Sequence, residues 1–286
     1  MANKSRFAIA QGSIKSFFKS NSLKIYSLPQ LNGIFEENRI AWNLPNSMNS
    51  EKFIDRLIKA EILRKVAFNF SGYYGSKDRY IATETNPTIF ELATSIVNKG
   101  YLSHYSAVFI HGLTTQVPKI VYVTFEQAKK SYKPNKLKQS AVDTAFSKPQ
   151  RTSNSFIIYE GFTIMVLNGK YTNRAGVYIA EKIPLTNIER TLIDIAVRPD
   201  YAGGVAAVLE TYRNAIGKFS INKLTAILDK LEFIYPYHQA IGFYLQQAGV
   251  EAKKLKVKAF GETNPVADNS SESGRVLNRR VEFKKK

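Results

Sequence analysis

Apolar positions recur at helical spacing through the first sixty residues and then change period. Ile14, Phe17 and Phe18 predict a first helix, and Leu31, Ile34 and Phe35 predict a second that runs towards Trp42. Ser27-Leu28-Pro29-Gln30 starts that second helix with a capping-box pattern and a proline in the first turn, where a missing amide costs nothing. After a linker, NLPNSM, a third helix is expected from near Asn49. It would bury Phe53, Ile54, Leu57 and Ile58 and turn Ser50, Lys52, Asp55, Arg56 and Lys59 outward. Strands at about 64–70 and 79–83, joined by SGYYGSKDR, then make a hairpin. Three helices and a hairpin in this order predict a winged helix-turn-helix over residues 1–83.

The next stretch reads as α/β (α+β). Helices are expected at about 88–99 and 103–111, strands at 119–124, 155–160, 162–167 and around 177–182, and an all-helical finish to residue 249. Tyr105, Val108 and Phe109 mark the short helix that stops at His111-Gly112, and Pro118 opens the β-branched and aromatic run Ile120-Val121-Tyr122-Val123. Thr186-Asn187-Ile188-Glu189 reads as a capping box for a helix with Ile188, Leu192 and Ile195 inward, closing before Pro199. Arg190, Asp194 and Arg198 share one i, i+4 row of it, which predicts a ladder of surface ion pairs. Gly203-Gly204 predicts a helix-to-helix turn. The expected organisation is a winged-helix domain over 1–83, a mixed α/β domain with a helical C-terminal half over 84–250, and a basic tail over 251–286.

Charge points to a partner. The 286 residues carry 41 Lys and Arg against 23 Asp and Glu, a formal net charge of +18. Such an excess favours phosphate backbones, because clustered cations release counterions on binding. It is spread along the chain: 13 basic against 6 acidic side chains in residues 1–82, 18 against 12 in 83–250, and 10 against 5 in 251–286. In a winged helix the third helix enters the major groove with its N-terminal side chains at base edges. Asn49, Ser50, Lys52 and Arg56 are therefore candidate base or groove contacts, and Lys59, Lys77 and Arg79 candidate phosphate contacts. Tyr73 and Tyr74 in the hairpin turn either stack in a groove or pack on their own strands. A second basic surface is expected in KKSYKPNKLKQSAVDTAFSKPQR, with Lys129, Lys130, Lys133, Lys136 and Lys138 at its start and Asp143 as its single acid.

Other chemistry lacks a template. No cysteine is present, which excludes disulfides, thiolate metal sites and a cysteine nucleophile. His104, His111 and His238 lie far apart with no paired spacing, no serine sits in a G-x-S-x-G context, and no phosphate-loop motif surrounds Gly203-Gly204. His111 is expected to bond a backbone carbonyl at its own turn. No enzymatic activity, metal or cofactor is expected. The N-terminal MANKSRFAIAQGSIKSFF has no signal-peptide core, and no run approaches the ~20 apolar residues of a membrane span. These readings predict a cytoplasmic protein without membrane contact.

SAVFIHGLTTQVP, then ERTLID, then RPDYAGG, then YHQAIGFYL follow one another between residues 106 and 245. In this order the motifs, with the helical N-terminus, resemble the AbiEi family of bacterial type IV antitoxins over residues from about 10 to 250. The resemblance implies an N-terminal domain that binds the double-stranded promoter of its own two-gene operon. It also implies a whole protein that counteracts a nucleotidyltransferase-like toxin encoded beside it, often in phage defence; self-association on DNA would follow from the geometry of a paired operator rather than from the resemblance. The tail departs from that pattern: LKVKAFGETNPVADNSSESGRVLNRRVEF at 255–283 resembles the end of an OmpA-like domain, without the earlier segments that carry that family's wall-binding residues. The alternative from another class is a stand-alone winged-helix regulator whose second domain binds an effector or partner.

Overall fold

The computed structural model describes residues 5–72, 75–130, 139–251, 257–259, 270 and 281–283. The fold is α/β. The chain opens with α1 (Arg6–Ser20), β1 (Ile25–Tyr26), α2 (Leu28–Asn38), α3 (Ser50–Lys59), β2 (Leu63–Asn69), β3 (Ser76–Ala82) and α4 (Ile89–Ile96). It continues through β4 (Tyr101–Leu102), α5 (His104–Ile110), β5 (Ile120–Glu126), α6 (Gln139–Phe146), β6 (Phe156–Tyr159), β7 (Phe162–Gly169), β8 (Val177–Ala180) and β9 (Ile183–Thr186). It closes with α7 (Ile188–Val197), a 3-10 turn at Pro199–Ala202, α8 (Val205–Asn214), α9 (Ile221–Leu231), α10 (Tyr237–Gln247), β10 (Val257–Ala259) and β11 (Val281–Phe283).

Two compact units result. One comprises Met1–Gly100 with Asn154–Met165, the other Tyr101–Ser153 with Val166–Lys286. In the first unit, capping sets the helix starts: Ser5, the Ser27/Gln30 box, Asn49 and the Thr88/Glu91 box open α1, α2, α3 and α4. Phe53 of α3 sits at the centre of the helical layer, with Phe7, Phe35 and Trp42 ring centroids 5.3–6.3 Å away. Burying one such ring contributes roughly 1.5–3 kcal/mol. The sequence linker at 43–48 is part of this core, since Leu44 and Met48 are buried.

The first unit's sheet has the order β1-β3-β2 and is antiparallel throughout. Strand β1, two residues long, has too few positions to show a period and is not foreseen from the sequence. Leu63, Tyr80 and Ala82 face the helical core, while α4 packs against β1 and β3.

In the second unit α7 is the central helix. Its residues from Glu189 to Val197 are all buried, and α5, α8, α9 and α10 pack around it. The helix is enclosed rather than seated on a surface, with Glu189, Arg190, Thr191 and Asp194 buried along with its apolar residues. In this unit's sheet the strands run β5-β4-β9-β8, with β4 antiparallel to β5 and parallel to β9. The expected strand around 177–182 is half of a hairpin: β8 turns back through Glu181-Lys182 into β9. Gly112 ends α5 at φ +63° as expected, and Gly203 and Gly204 make the helix-to-helix turn before α8. In the tail, β10 and β11 pair with each other in a separate two-stranded sheet.

Candidate nucleic-acid interface

The third helix starts where the Asn49 side chain accepts a hydrogen bond from the Lys52 amide at 2.9 Å. Its exposed face carries Lys52, Arg56 and Lys59 at i, i+4 and i+7, one row opposite the buried Phe53, Ile54 and Leu57. Glu51 and Asp55 form a parallel exposed row. Arg56 also lies over the Phe7 ring at 5.5 Å, which holds its stem while leaving the residue exposed.

The other candidates are placed differently. Ser50 shares the side of Phe53, Ile54 and Leu57 and is half-buried, and the Asn49 oxygen is taken by the cap. Lys77 is half-exposed on β3. Arg79 is a correction: its guanidinium donates to the Ser95 carbonyl from Nε at 2.7 Å, to the Ile96 carbonyl from Nη2 at 2.9 Å and to the Asp78 carbonyl from Nη1 at 2.7 Å. Burial lowers its pKa, and the Asp78 charge only partly opposes this. Arg79 closes the C-terminus of α4, where carbonyls lack partners and a cation is favoured, so it is not left for phosphate. Tyr73 and Tyr74 lie outside the described residues.

Arg64, missed in the sequence, is exposed on β2 and donates from Nη1 to the Tyr159 hydroxyl at 3.4 Å. Lys65 beside it pairs with Asp78 at 2.8 Å. In the second unit Lys129 and Lys130 are exposed, as are Lys148 and Arg151. Lys133, Lys136 and Lys138 lie outside the described residues. The basic stretch is not wholly loop, because α6 occupies Gln139–Phe146 within it.

The remaining charged cluster of the second unit is buried. The expected surface ladder on α7 is a correction: Arg190 and Asp194 are 7% exposed each, and Arg190 Nε donates to Asp194 Oδ1 at 2.7 Å. Arg190 Nη1 also donates to the Ala175 carbonyl at 2.7 Å. Burial pulls the Arg190 pKa down, but the Asp194 carboxylate reverses this and leaves it raised. Arg198, the third member of the expected row, turns instead to the Arg151 carbonyl at 3.2 Å.

Glu126 accepts the amides of Thr172 at 3.0 Å and Arg174 at 3.2 Å, together with the Thr172 hydroxyl. Burial alone would raise its carboxyl, yet these bonds and the Arg190 charge hold it below the ordinary range. Gly176 lets this loop close on α7, since a Cβ there would lie 2.6 Å from the Arg190 Cβ.

Two finer expectations also shift. The α7 cap is Asn187, accepting from the Arg190 amide at 2.8 Å, while the Glu189 carboxylate reaches the Ser220 amide and the Lys223 ammonium, each at 3.2 Å. His111 does bond a backbone carbonyl, but that of Thr186 at 2.7 Å rather than one in its own turn. Among the described residues, no group of three or more His, Asp and Glu is placed to hold a metal ion. None of the described helices is long and apolar enough to cross a membrane.

The geometry defines an α/β protein with an exposed cationic helix row on its N-terminal unit. Among solved structures it is similar to the RV2827C protein from Mycobacterium tuberculosis, with a TM-score of 0.51 and 12% identity, covering 86% of this chain and 79% of that one. At that identity the likeness concerns the fold alone. No family model matches the chain, and no curated protein matches it.

Proposed function

We propose that this chain is a double-stranded DNA-binding repressor of its own operon and the antitoxin of a type IV pair. The observation that carries the DNA half is the row Lys52, Arg56, Lys59 on α3. It stands clear of the core on a helix that is rigidly backed by Phe53 and preceded by a capped N-terminus. The order α1-β1-α2-α3-β2-β3, with a three-stranded antiparallel sheet, supports reading residues 1–83 as a winged helix. In that geometry Lys52 and Arg56 meet the major groove, and Lys59 and Lys77 meet phosphates. Lys129 and Lys130 add a second basic surface whose sequence-independent attraction strengthens binding.

The antitoxin half rests on the motif resemblance from SAVFIHGLTTQVP to YHQAIGFYL. The exposed charge suits nucleic acid, so neutralisation without stable contact to the toxin protein is as natural here as a complex. Co-expression with the adjacent gene tests it. Growth rescue is expected from the full chain when that gene is toxic. A harmless neighbour, or toxicity that the chain leaves unchanged, would favour a stand-alone regulator whose second unit binds an effector.

A further inference from the structure

The three-stranded sheet leaves β2, seven residues long, on its edge. An edge of that length exposes unpaired backbone groups and is normally covered or shortened. Here side chains of β2 and the chain just beyond it meet the β6–β7 hairpin, which lies far along the sequence. The hairpin β6–β7 turns tightly at Glu160-Gly161, with Tyr159 paired to Phe162 and both turn residues at positive φ, as a two-residue primed turn requires.

Strand β6 of this hairpin belongs to the first unit and meets β2 at two side chains and the chain just beyond β2 at one backbone bond. The Ser71 amide donates to the Phe156 carbonyl at 2.8 Å. The Phe68 and Tyr159 rings lie 5.2 Å apart, and Phe68 is only 1% exposed. Arg64 reaches the Tyr159 hydroxyl at 3.4 Å.

Register links this hairpin to a candidate DNA contact. Phe68 stands directly opposite Lys77 in the β2–β3 ladder, and directly opposed side chains share a face with Cβ atoms about 4.5–5.5 Å apart. Arg64, Phe68, Lys77 and Arg79 therefore share one face of the hairpin. Arg79 ties that face to the end of α4, and Tyr159 ties down Arg64 and Phe68. Lys77 is half-exposed between these anchors, and its backbone pairs with Phe68 of β2.

We propose that Tyr159 is a positioning residue for DNA binding: it holds the β2–β3 hairpin as a wing, and without that hold Lys77 does not reach phosphate. This rests on the DNA-binding reading above. The consequence is that the DNA-binding unit extends beyond its N-terminal segment and includes the hairpin at 154–165. Tyr159 touches no nucleic acid itself and acts through Phe68, Arg64 and the strand that pairs with Lys77.

The test uses full-length Tyr159→Ala and Tyr159→Phe, with hydrogen exchange and promoter binding measured across a salt series. In Tyr159→Ala, amides of residues 63–71 should exchange about tenfold faster while those of α7 stay as in the wild type. The slope of log affinity against log salt should shrink by about one, the loss of one phosphate contact. Tyr159→Phe keeps the ring on Phe68 and loses only the bond from Arg64, so it should keep the wild-type slope and most of the wild-type protection. Tyr159→Leu serves if the alanine variant does not fold, with a shift of about threefold in the same amides. An unchanged slope in the alanine or leucine variant overturns the proposal, even if affinity falls, because partial unfolding alone lowers the active fraction and leaves the slope intact. Wild-type protein that fails to bind its promoter at low salt would overturn the DNA reading itself, a separate and visible outcome.

Discussion

His104 carries two constraints that its place before an apolar helix does not advertise. It sits at φ +50°, where a bulky residue is strained, and it is buried with Nδ1 2.8 Å from the Ser103 hydroxyl. Burial pushes its pKa down to about 4, with the Asp194 charge opposing only in part. The unfolded chain, with an ordinary value of 6.5, then binds more protons between these limits. Stability from this group is fully present above pH 6.5 and is lost as pH falls towards 4; the loss reaches about 2–3 kcal/mol by pH 4.5. Urea midpoints of the wild type should show that slope, and His104→Asn, which tolerates left-handed backbone, should be flatter over the same window. Equal slopes would mean that His104 is not buried neutral. Arg190 makes a second case at this scale. Arg190→Met strands Asp194 in the interior and should cost about 3–5 kcal/mol in chemical denaturation, whereas Arg190→Met with Asp194→Leu should recover most of it. No recovery in the double variant would show that the loop at 172–176, not the ion pair, dominates.

Elements with a clear period were legible. Helix α3 begins at its expected cap, and β2, β5 and α7 fall close to their expected bounds, because three or more apolar positions report each of them; β3 starts three residues before its expected start, where Ser76, Lys77 and Asp78 are polar. What was not legible had a physical reason in each case. Strands β1 and β4 are two residues long, and β8–β9 reverse through Glu181-Lys182, which lacks the usual Asn-Gly or Gly signal. The burial of Arg190 and Asp194 depends on a loop that arrives from residues 172–176, which helical spacing cannot show. Tyr159 was missed for the same reason, since its partners Phe68 and Arg64 lie far away in sequence. At this scale the cap of α3 is the most direct handle. Asn49→Ala should lower stability by about 1 kcal/mol in thermal melts and weaken promoter binding, while Asn49→Asp keeps the cap and most of the stability. An Asn49→Ala protein with wild-type melting would show that the cap contributes nothing to α3.

At the scale of the whole chain, the +18 charge becomes informative only once the fold separates spent cations from available ones. Arg79 and Arg190 are consumed internally, whereas Lys52, Arg56, Lys59, Lys129 and Lys130 are exposed. Reversing Lys129 and Lys130 to Glu should weaken promoter binding and flatten its salt dependence, and a salt response equal to that of the wild type would remove the second basic surface from the account. The motif order that resembles the antitoxin family builds the core of the second unit, with Val108, Leu113, Leu192, Ile195 and Ile241 in one buried cluster. Those residues shape a scaffold, and the exposed α3 row carries the proposed recognition. The most direct measurement is therefore a salt titration of full-length protein on its own promoter, compared with Lys52→Ala/Arg56→Ala and with DNA of unrelated sequence. Wild-type protein should bind the promoter more tightly than unrelated DNA, and the double variant, which loses base contacts rather than phosphate contacts, should lose that preference while its log–log salt slope changes little. Equal wild-type binding to both DNAs, or a promoter preference that the double variant leaves unchanged, would contradict this assignment.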